Sequence, residues 1–318
     1  TGDSGARKRF RLAKIGSCAR AMLFSLLEAL PPRLEQALSH LRSQVAQLDG
    51  VVVAYSGGVD SALVAAIAAE QLGPRAQAIT GVSPALAPHL RQEASQQAAW
   101  LGISHLEIMT AELDDPGYAN NPDGRCYACK QELHRLLAPI AAAAGGAQVI
   151  DGVNRDDLGD YRPGIRAARE HGVISPLAEA GLDKAGVRQL SKALGLPWWD
   201  KPAQPCLASR FPYGEPITAQ RLERVAAAEA WLLAQGWPRV RVRSQGETAR
   251  IELPADQLPG ALLQWTDTPQ REALVQAFRG LGFSAVGLDL EGLVSGKLNR
   301  DLAPPVEIPS KKPPTGGL

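Results

Sequence analysis

Sulfur is scarce in this chain, which has four cysteines and two methionines among 318 residues. Four cysteines cannot build a disulfide framework for a protein of this length, so a close pair of them has a chemical rather than a stapling meaning. Excess charge is missing as well, with 34 Lys plus Arg against 33 Asp plus Glu. No global field therefore draws in a polyanion, and nucleic acid is not the expected partner unless a local patch supplies one. No apolar run reaches the roughly 18 residues of a membrane helix, and no segment repeats at solenoid periods. What is present, 45% apolar and 21% charged residues, reads as a soluble globular chain with room for about two domains. The expected location is the cytoplasm.

The two ends differ in composition from the middle. Residues 1–30 form a basic arm, with Arg7, Lys8, Arg9, Arg11, Lys14 and Arg20. It resembles a signal-peptide start, but the following stretch turns amphipathic instead of reaching a small-residue cleavage site. Cys18 lies in this arm and needs no role. Residues 301–318 are rich in Pro and Gly and are expected to be disordered.

Between the ends, hydrophobic periodicity gives an alternation of strands and helices. "VVVAYS" from Val51 is a short apolar run of buried-strand length, and "ALVAAIAAEQLG" after it has helical length with a glycine stop at Gly73. The same alternation continues with "AQAITGV", a helix over Pro88 to Leu101, "SHLEIMT", a helix over Tyr127 to Ala144, "AQVIDGV" and a helix over 160–170. Such spacing predicts a doubly wound parallel sheet. A further helix ends at Gly195, and then Leu196 to Pro216 holds five prolines and cannot be one regular element. Loops of that length in compact proteins usually carry function. From Thr218 the pattern changes to a helix, the period-two strands "RVRVR" and "ARIEL", a helix over Pro269 to Arg279 and "AVGLDL". This predicts a small α+β domain, so the expected division is 31–216, 217–300 and the two tails.

The sharpest local signal is "SGGVDS", Ser56 to Ser61, between the first strand and its helix. Gly57 and Gly58 allow a tight turn that aims backbone N–H groups at an anion, and the helix N-terminus adds partial positive charge. Ser56 and Ser61 add hydroxyl donors, and Asp60 is placed to help hold Mg²⁺. The loop lacks the Gly-Lys-Ser/Thr ending of a Walker A motif, so ordinary γ-phosphate hydrolysis is not expected. It resembles the pyrophosphate loop of the PP-loop ATPases, which implies ATP splitting to AMP and pyrophosphate. Ser83, after the second strand, would lie at the same sheet end, although a plain strand-end turn explains it equally.

"RCYACK" at 125–130, "DGVNRDDLGDYRPGIRAARE", "SPLAEAGLDKAGVRQLSKALGLPWWDKPAQPCLASRFPYG", "RVRVRSQGETARIEL" and "LDLEG" together resemble the LarE family, ATP-dependent pyridinium-3,5-biscarboxylic acid mononucleotide sulfurtransferases, from about Leu34 to Asn299. The resemblance implies a PP-loop, adenine nucleotide alpha hydrolase-like fold, ATP and Mg²⁺, and homo-oligomers. The implied chemistry is adenylation of a pyridinium carboxylate and displacement of AMP by sulfur, on the way to a nickel-pincer nucleotide cofactor. The family's sulfur-bearing cysteine corresponds to Cys206. In one branch that residue gives up its own sulfur. In another, three cysteines hold a [4Fe-4S] cluster whose open iron takes sulfide from a donor, and Cys126, Cys129 and Cys206 fit that branch. "EGLVSGKLN" departs from the family's aromatic-containing version at Leu293.

The remaining candidates follow by position. Lys130 offers an ammonium to a phosphate, and Asp151, Asn154, Asp156 and Asp157 end a strand on the expected ATP side, where an Asn/Asp-rich turn is the bland explanation. Arg162 is either nucleotide-facing or structural. Ser209 and Arg210 flank the sulfur loop, while Arg241 and Arg243 share a strand face suited to the mononucleotide's phosphate, with Glu229 on the preceding helix as a partner. Trp198 and Trp199 suit either stacking on a pyridinium or ordinary packing. For the cysteines, zinc with His134 as a fourth ligand, a redox dithiol and inert thiols beside a sacrificial Cys206 stay open. So do a PP-loop tRNA thiolase, an amidating synthetase and a nucleotide sensor without catalysis.

Overall fold

The structure, a computed structural model, describes residues 26–159, 162–294 and 296–300. Most of the basic arm, with Cys18, and the tail from 301 onward lie outside the described residues. The described residues divide into two compact units, one within residues 1–119 and 124–206, the other within residues 120–123 and 207–318. The division follows Cys206, whereas the sequence reading put it after Pro216.

Unit 1 is the parallel α/β domain. Helix α1 (Pro32–Ala46) precedes strand β1 (Val51–Ala54), then α2 (Val59–Leu72), β2 (Ala76–Val82), α3 (Pro88–Leu101), β3 (Ser104–Met109), α4 (Arg125–Ala143), β4 (Gln148–Ile150), α5 (Pro163–Glu170) and α6 (Lys184–Ala193). The strands lie in the order β3-β2-β1-β4, and every pair is parallel. Alternation along β1 sends its side chains to two cores. Val51 and Val53 join Leu38 and Leu41 of α1, Leu63 and Ile67 of α2 and Leu190 of α6. Val52 joins Leu137 and Ala141 of α4 and Ala168 of α5 on the opposite face. Two covered faces explain why β1 is apolar throughout rather than alternating with polar residues.

Helix α4 starts at Arg125, two residues before the sequence pattern suggested, so Cys126 joins Cys129 within the helix. Helix α5 starts only at Pro163, with Pro at its first position, where the missing N–H costs nothing.

Unit 2 contains helix α7 (Ala219–Ala234), strands β5 (Arg241–Gln245) and β6 (Thr248–Glu252), helices α8 (Leu258–Thr266) and α9 (Thr268–Gly280), and strand β7 (Ala285–Leu288). β5 pairs antiparallel with β6, and β7 pairs parallel with β6. Helix α8 went unread in the sequence because its apolar residues form no clean stripe, and Leu262 and Leu263 remain exposed.

Candidate active site

The strand order reverses direction at β1, whose neighbours β2 and β4 continue the chain on opposite sides. In an open parallel sheet the crevice beyond the strand ends at such a point is where ligands bind, and here the "SGGVDS" loop and the segment after β4 meet. Gly57 takes φ +68°, and a Cβ there would lie 3.0 Å from Ala94 of α3. Glycine is therefore required twice, for the backbone angle and for the approach of α3. Ser56 Oγ and Ser61 Oγ are 3.1 Å apart, and Ser61 Oγ donates to Gly58 O at 3.2 Å. The two hydroxyls thus brace the turn that opens α2.

Gly152, just beyond β4, marks the closest contact of the crevice. A Cβ on it would stand 2.6 Å from Ser61 N and 2.9 Å from Ser61 Cα, so only glycine lets this segment lie on the first turn of α2. The same segment carries Asn154, which is buried and donates from Nδ2 to Asp60 Oδ1 at 3.2 Å. The other Asp60 oxygen takes a short contact from Lys184 Nζ. Asp157 accepts from Asn154 N at 3.1 Å and pairs with Arg162 at 2.8 Å. Asp156 accepts from Lys184 N at 3.0 Å. Asp151 accepts from Val153 N and Ser175 Oγ at 3.1 and 2.8 Å, and burial holds its carboxyl above the usual carboxylate range. The structure thus brings Asp60, Asn154 and Asp157 into one network with Arg162 and Lys184. Ser83 is engaged elsewhere, since its hydroxyl donates to the buried Glu112 at 2.6 Å.

The three cysteines all belong to unit 1, and none is in a disulfide. Cys126 and Cys129, three apart in a helix, share a face. Burial raises the Cys126 thiol and pushes Cys129 up to about 12. The negative charge of a Cys206 thiolate acts on both in the same direction, while the Lys130 ammonium acts against it. The Cys206 and Lys130 charges are therefore each felt at Cys126 and Cys129. Among the described residues no three His, Cys, Asp or Glu side chains converge on a single metal ion. A cubane cluster does not require that convergence, because each thiolate takes a different iron, and the soft all-sulfur donor set suits iron–sulfur chemistry. His134, the candidate fourth zinc ligand, is buried beside His171 with ring centroids 5.9 Å apart. Burial pushes it down to about 3, helped by the Lys130 and His171 charges.

Gly164 of the "RPG" stretch explains how α5 docks on the cysteine-bearing helix. A Cβ there would meet Lys130 Cγ at 2.9 Å and Cys126 O at 3.3 Å. Trp198 packs edge-on against Trp100 at 5.2 Å, and the Lys192 ammonium lies 5.7 Å from the Trp199 ring centroid. These contacts favour the packing explanation for both tryptophans.

In unit 2 the basic residues divide into balanced and unbalanced ones. Arg210 grips Glu229 in a buried bidentate pair at 2.8 and 3.0 Å and touches Ser209 Oγ at 2.9 Å. Glu229 also accepts from Val242 N at 2.9 Å. Arg243 bonds Glu252 at 2.9 Å and makes a short contact with Ser209 O. The side chain of Arg241, half-buried on the same strand, makes no hydrogen bond or close ion pair among the described residues, and only the more distant charges of Glu252 and Glu229 favour it. Burial and then the charges of Arg210 and Arg243 lower its guanidinium to about 10.

Sequence reasoning missed Lys184, Lys201, Gly152, Gly164 and Glu112. The glycines are legible only once the segments they allow to touch are known. Lys184 follows the helix-capping Asp183 and looks like an ordinary first-turn residue. Lys201 sits in a loop whose path no periodicity predicts.

Similarity to known proteins agrees with this geometry. A family model described as NAD synthase matches residues 33–120, which span the phosphate loop. The chain is 55% identical to an uncharacterised protein of Synechocystis over 85% of its length and 99% of the other. It is 38% identical to the pyridinium-3,5-bisthiocarboxylic acid mononucleotide synthase of Lactiplantibacillus plantarum over 80% of its length and 91% of that enzyme. The chain belongs to the LarE family. LarE-type proteins are PP-loop enzymes, and this one is an ATP-dependent sulfurtransferase of that fold. A tRNA(Ile)-lysidine synthase of Salinispora tropica is 30% identical over 52% of this chain and 55% of that enzyme, so that likeness reaches only about half of each protein. No helix among the described residues is long and apolar enough to cross a membrane.

Proposed function

We propose that this LarE-type enzyme adenylates a carboxylate of pyridinium-3,5-biscarboxylic acid mononucleotide and replaces one carboxylate oxygen with sulfur. A carboxylate oxygen attacks the α-phosphorus of ATP and pyrophosphate leaves. Sulfur then attacks the acyl carbon, and AMP departs with the original oxygen, leaving a thiocarboxylate. The product would feed synthesis of the nickel-pincer nucleotide cofactor of lactate racemase-type enzymes.

The observation that carries this reading is the close approach of Gly152 to Ser61, which lays the Asn154–Asp157 segment on the phosphate loop in the unit that also holds Cys126, Cys129 and Cys206. Ser56, Gly57, Gly58 and Ser61 are assigned to pyrophosphate, with Asp60, Asn154 and Asp157 toward Mg²⁺ and ribose. Asp151 stands behind them, held by Val153 and Ser175, and Ser83 is given no part because its hydroxyl is taken by Glu112. Lys130 is assigned to charge developing on the acyl adenylate. Arg241 takes the mononucleotide's phosphate, while Arg243, Arg210, Ser209 and Glu229 hold it in place. The three cysteines would hold a [4Fe-4S] cluster, which supplies an open iron able to carry sulfide from an external donor. The exposure of Cys206 favours a second reading, in which its own sulfur forms a thioester and the Cβ–S bond then breaks to leave dehydroalanine.

The test is anaerobic incubation with ATP, sulfide and the biscarboxylate mononucleotide, after iron reconstitution. Substrate-dependent pyrophosphate, a product that has exchanged oxygen for sulfur, and an unchanged polypeptide support the cluster reading. Loss of one H₂S mass at Cys206 supports the sacrificial one. Co-purifying tRNA that becomes thiolated, or no pyrophosphate with the mononucleotide, overturns both.

A further inference from the structure

The segment that carries Cys206 is tied to the phosphate loop by a side chain given no role so far. Lys201 Nζ donates to Gly57 O at 3.0 Å and pairs with Glu93 of α3 at 2.7 Å. The Lys201 side chain is only 12% exposed, while Glu93 is 43% exposed. The ammonium is therefore committed to the loop, and the carboxylate is its solvent-side counterion. Arg188 of α6 holds the same residue from behind, donating to Lys201 O at 3.1 Å. From Pro202 to Cys206 the chain is exposed throughout. Five residues reach about 17 Å at full extension, and Pro202 and Pro205 remove two flexible φ angles from that reach. A fix at Lys201 therefore limits where the Cys206 sulfur can go.

We infer that Lys201 is a positioning residue that couples adenylation to sulfur delivery by fixing the Cys206 segment to the turn where pyrophosphate is held. This rests on the proposed role of Cys206 in carrying sulfur. Adenylation itself uses the backbone N–H groups of the turn, which Lys201 leaves unengaged because it binds a carbonyl. Loss of Lys201 should then waste activated substrate instead of slowing activation.

The experiment compares wild type, Lys201→Met, Lys201→Arg and Glu93→Gln for substrate-dependent pyrophosphate release and for thiolated product in the same reaction. Backbone hydrogen exchange of residues 202–206 is measured alongside. The expected result for Lys201→Met is pyrophosphate release within about threefold of wild type and product per pyrophosphate lowered about 10- to 100-fold, as for misplaced reacting groups. Exchange in the 202–206 segment rises, Lys201→Arg restores much of the ratio, and Glu93→Gln falls between. Parallel loss of pyrophosphate and product, or an unchanged ratio and unchanged exchange, overturns the inference. If Lys201→Met does not fold, Glu93→Gln decides, because an unchanged ratio and exchange there count against the coupling. Failure of the functional reading itself looks different, since wild type then releases no substrate-dependent pyrophosphate.

Discussion

Replacing Arg241 with methionine should make the ligand-free protein more stable and the phosphate-bound protein relatively less so. The guanidinium is lowered to about 10 by burial and by Arg210 and Arg243. It remains protonated at neutral pH, so the displacement represents an unfavourable interaction of the charged form with the fold. At about 1.4 kcal/mol per pKa unit this is at most about 3.5 kcal/mol, and solvent screening of a half-exposed group reduces it to about 1 kcal/mol. Methionine keeps the apolar stem and removes the charge, so the unliganded melting temperature should rise by about 2–8 °C. A cation with a lowered folded-state pKa is penalised at every pH below that value, and the penalty fades only as pH rises through about 10. The gain should therefore persist from pH 6 to 9. Millimolar phosphate should stabilise wild type by mass action and leave the variant unmoved, narrowing or inverting the order. The assay is thermal denaturation with and without phosphate. A variant that melts lower without phosphate, or equal stabilisation of both by phosphate, would refute the electrostatic reasoning.

Further outcomes follow from other contacts. Gly152→Ala forces a methyl against Ser61 N and should raise the KM for ATP at least tenfold or unfold unit 1, read by pyrophosphate kinetics and circular dichroism. Asp60→Asn breaks the pair with Lys184 and should lower pyrophosphate release more than it lowers the melting temperature. Asp151→Asn should stabilise the protein at pH 7, because burial disfavours the charged carboxylate. That advantage should disappear below pH 4, where the acid is protonated in both folded and unfolded states, as denaturant titrations at the two pH values would show. Removing Arg210 alone should cost about 3–5 kcal/mol by stranding Glu229, and the double variant Arg210→Met, Glu229→Leu should recover most of it.

Much of unit 1 was legible because its elements have clean periods. The apolar run of β1 and the helix ending at Gly73 needed only local pattern, and the phosphate loop lay between them in register. Three further features were opaque for physical reasons. The start of α4 depended on a turn at Gly124 that leaves no hydrophobic signature, so Cys126 fell one residue outside the expected helix while Cys129 lay within it. The division after Cys206 depends on which contacts Leu207 and its neighbours make, and a proline-rich stretch does not encode that locally. Arg210, Arg241 and Arg243 look alike as letters. Their separation into two neutralised charges and one exposed to repulsion depends on Glu229 and Glu252, which lie 19 and 9 residues away from Arg210 and Arg243. Long-range pairing of this kind decides which basic residue is available to an anion.

Gly164 sets a limit on how this enzyme can change. With no side chain to act as a spacer, α5 lies directly on the turn that presents Lys130 and Cys126. Any side chain at that point would press on the stem of Lys130 and the backbone carbonyl of Cys126. Variation in the surface of α5 is therefore free to alter solubility or assembly, but the seam beneath it is fixed by the chemistry on the neighbouring helix.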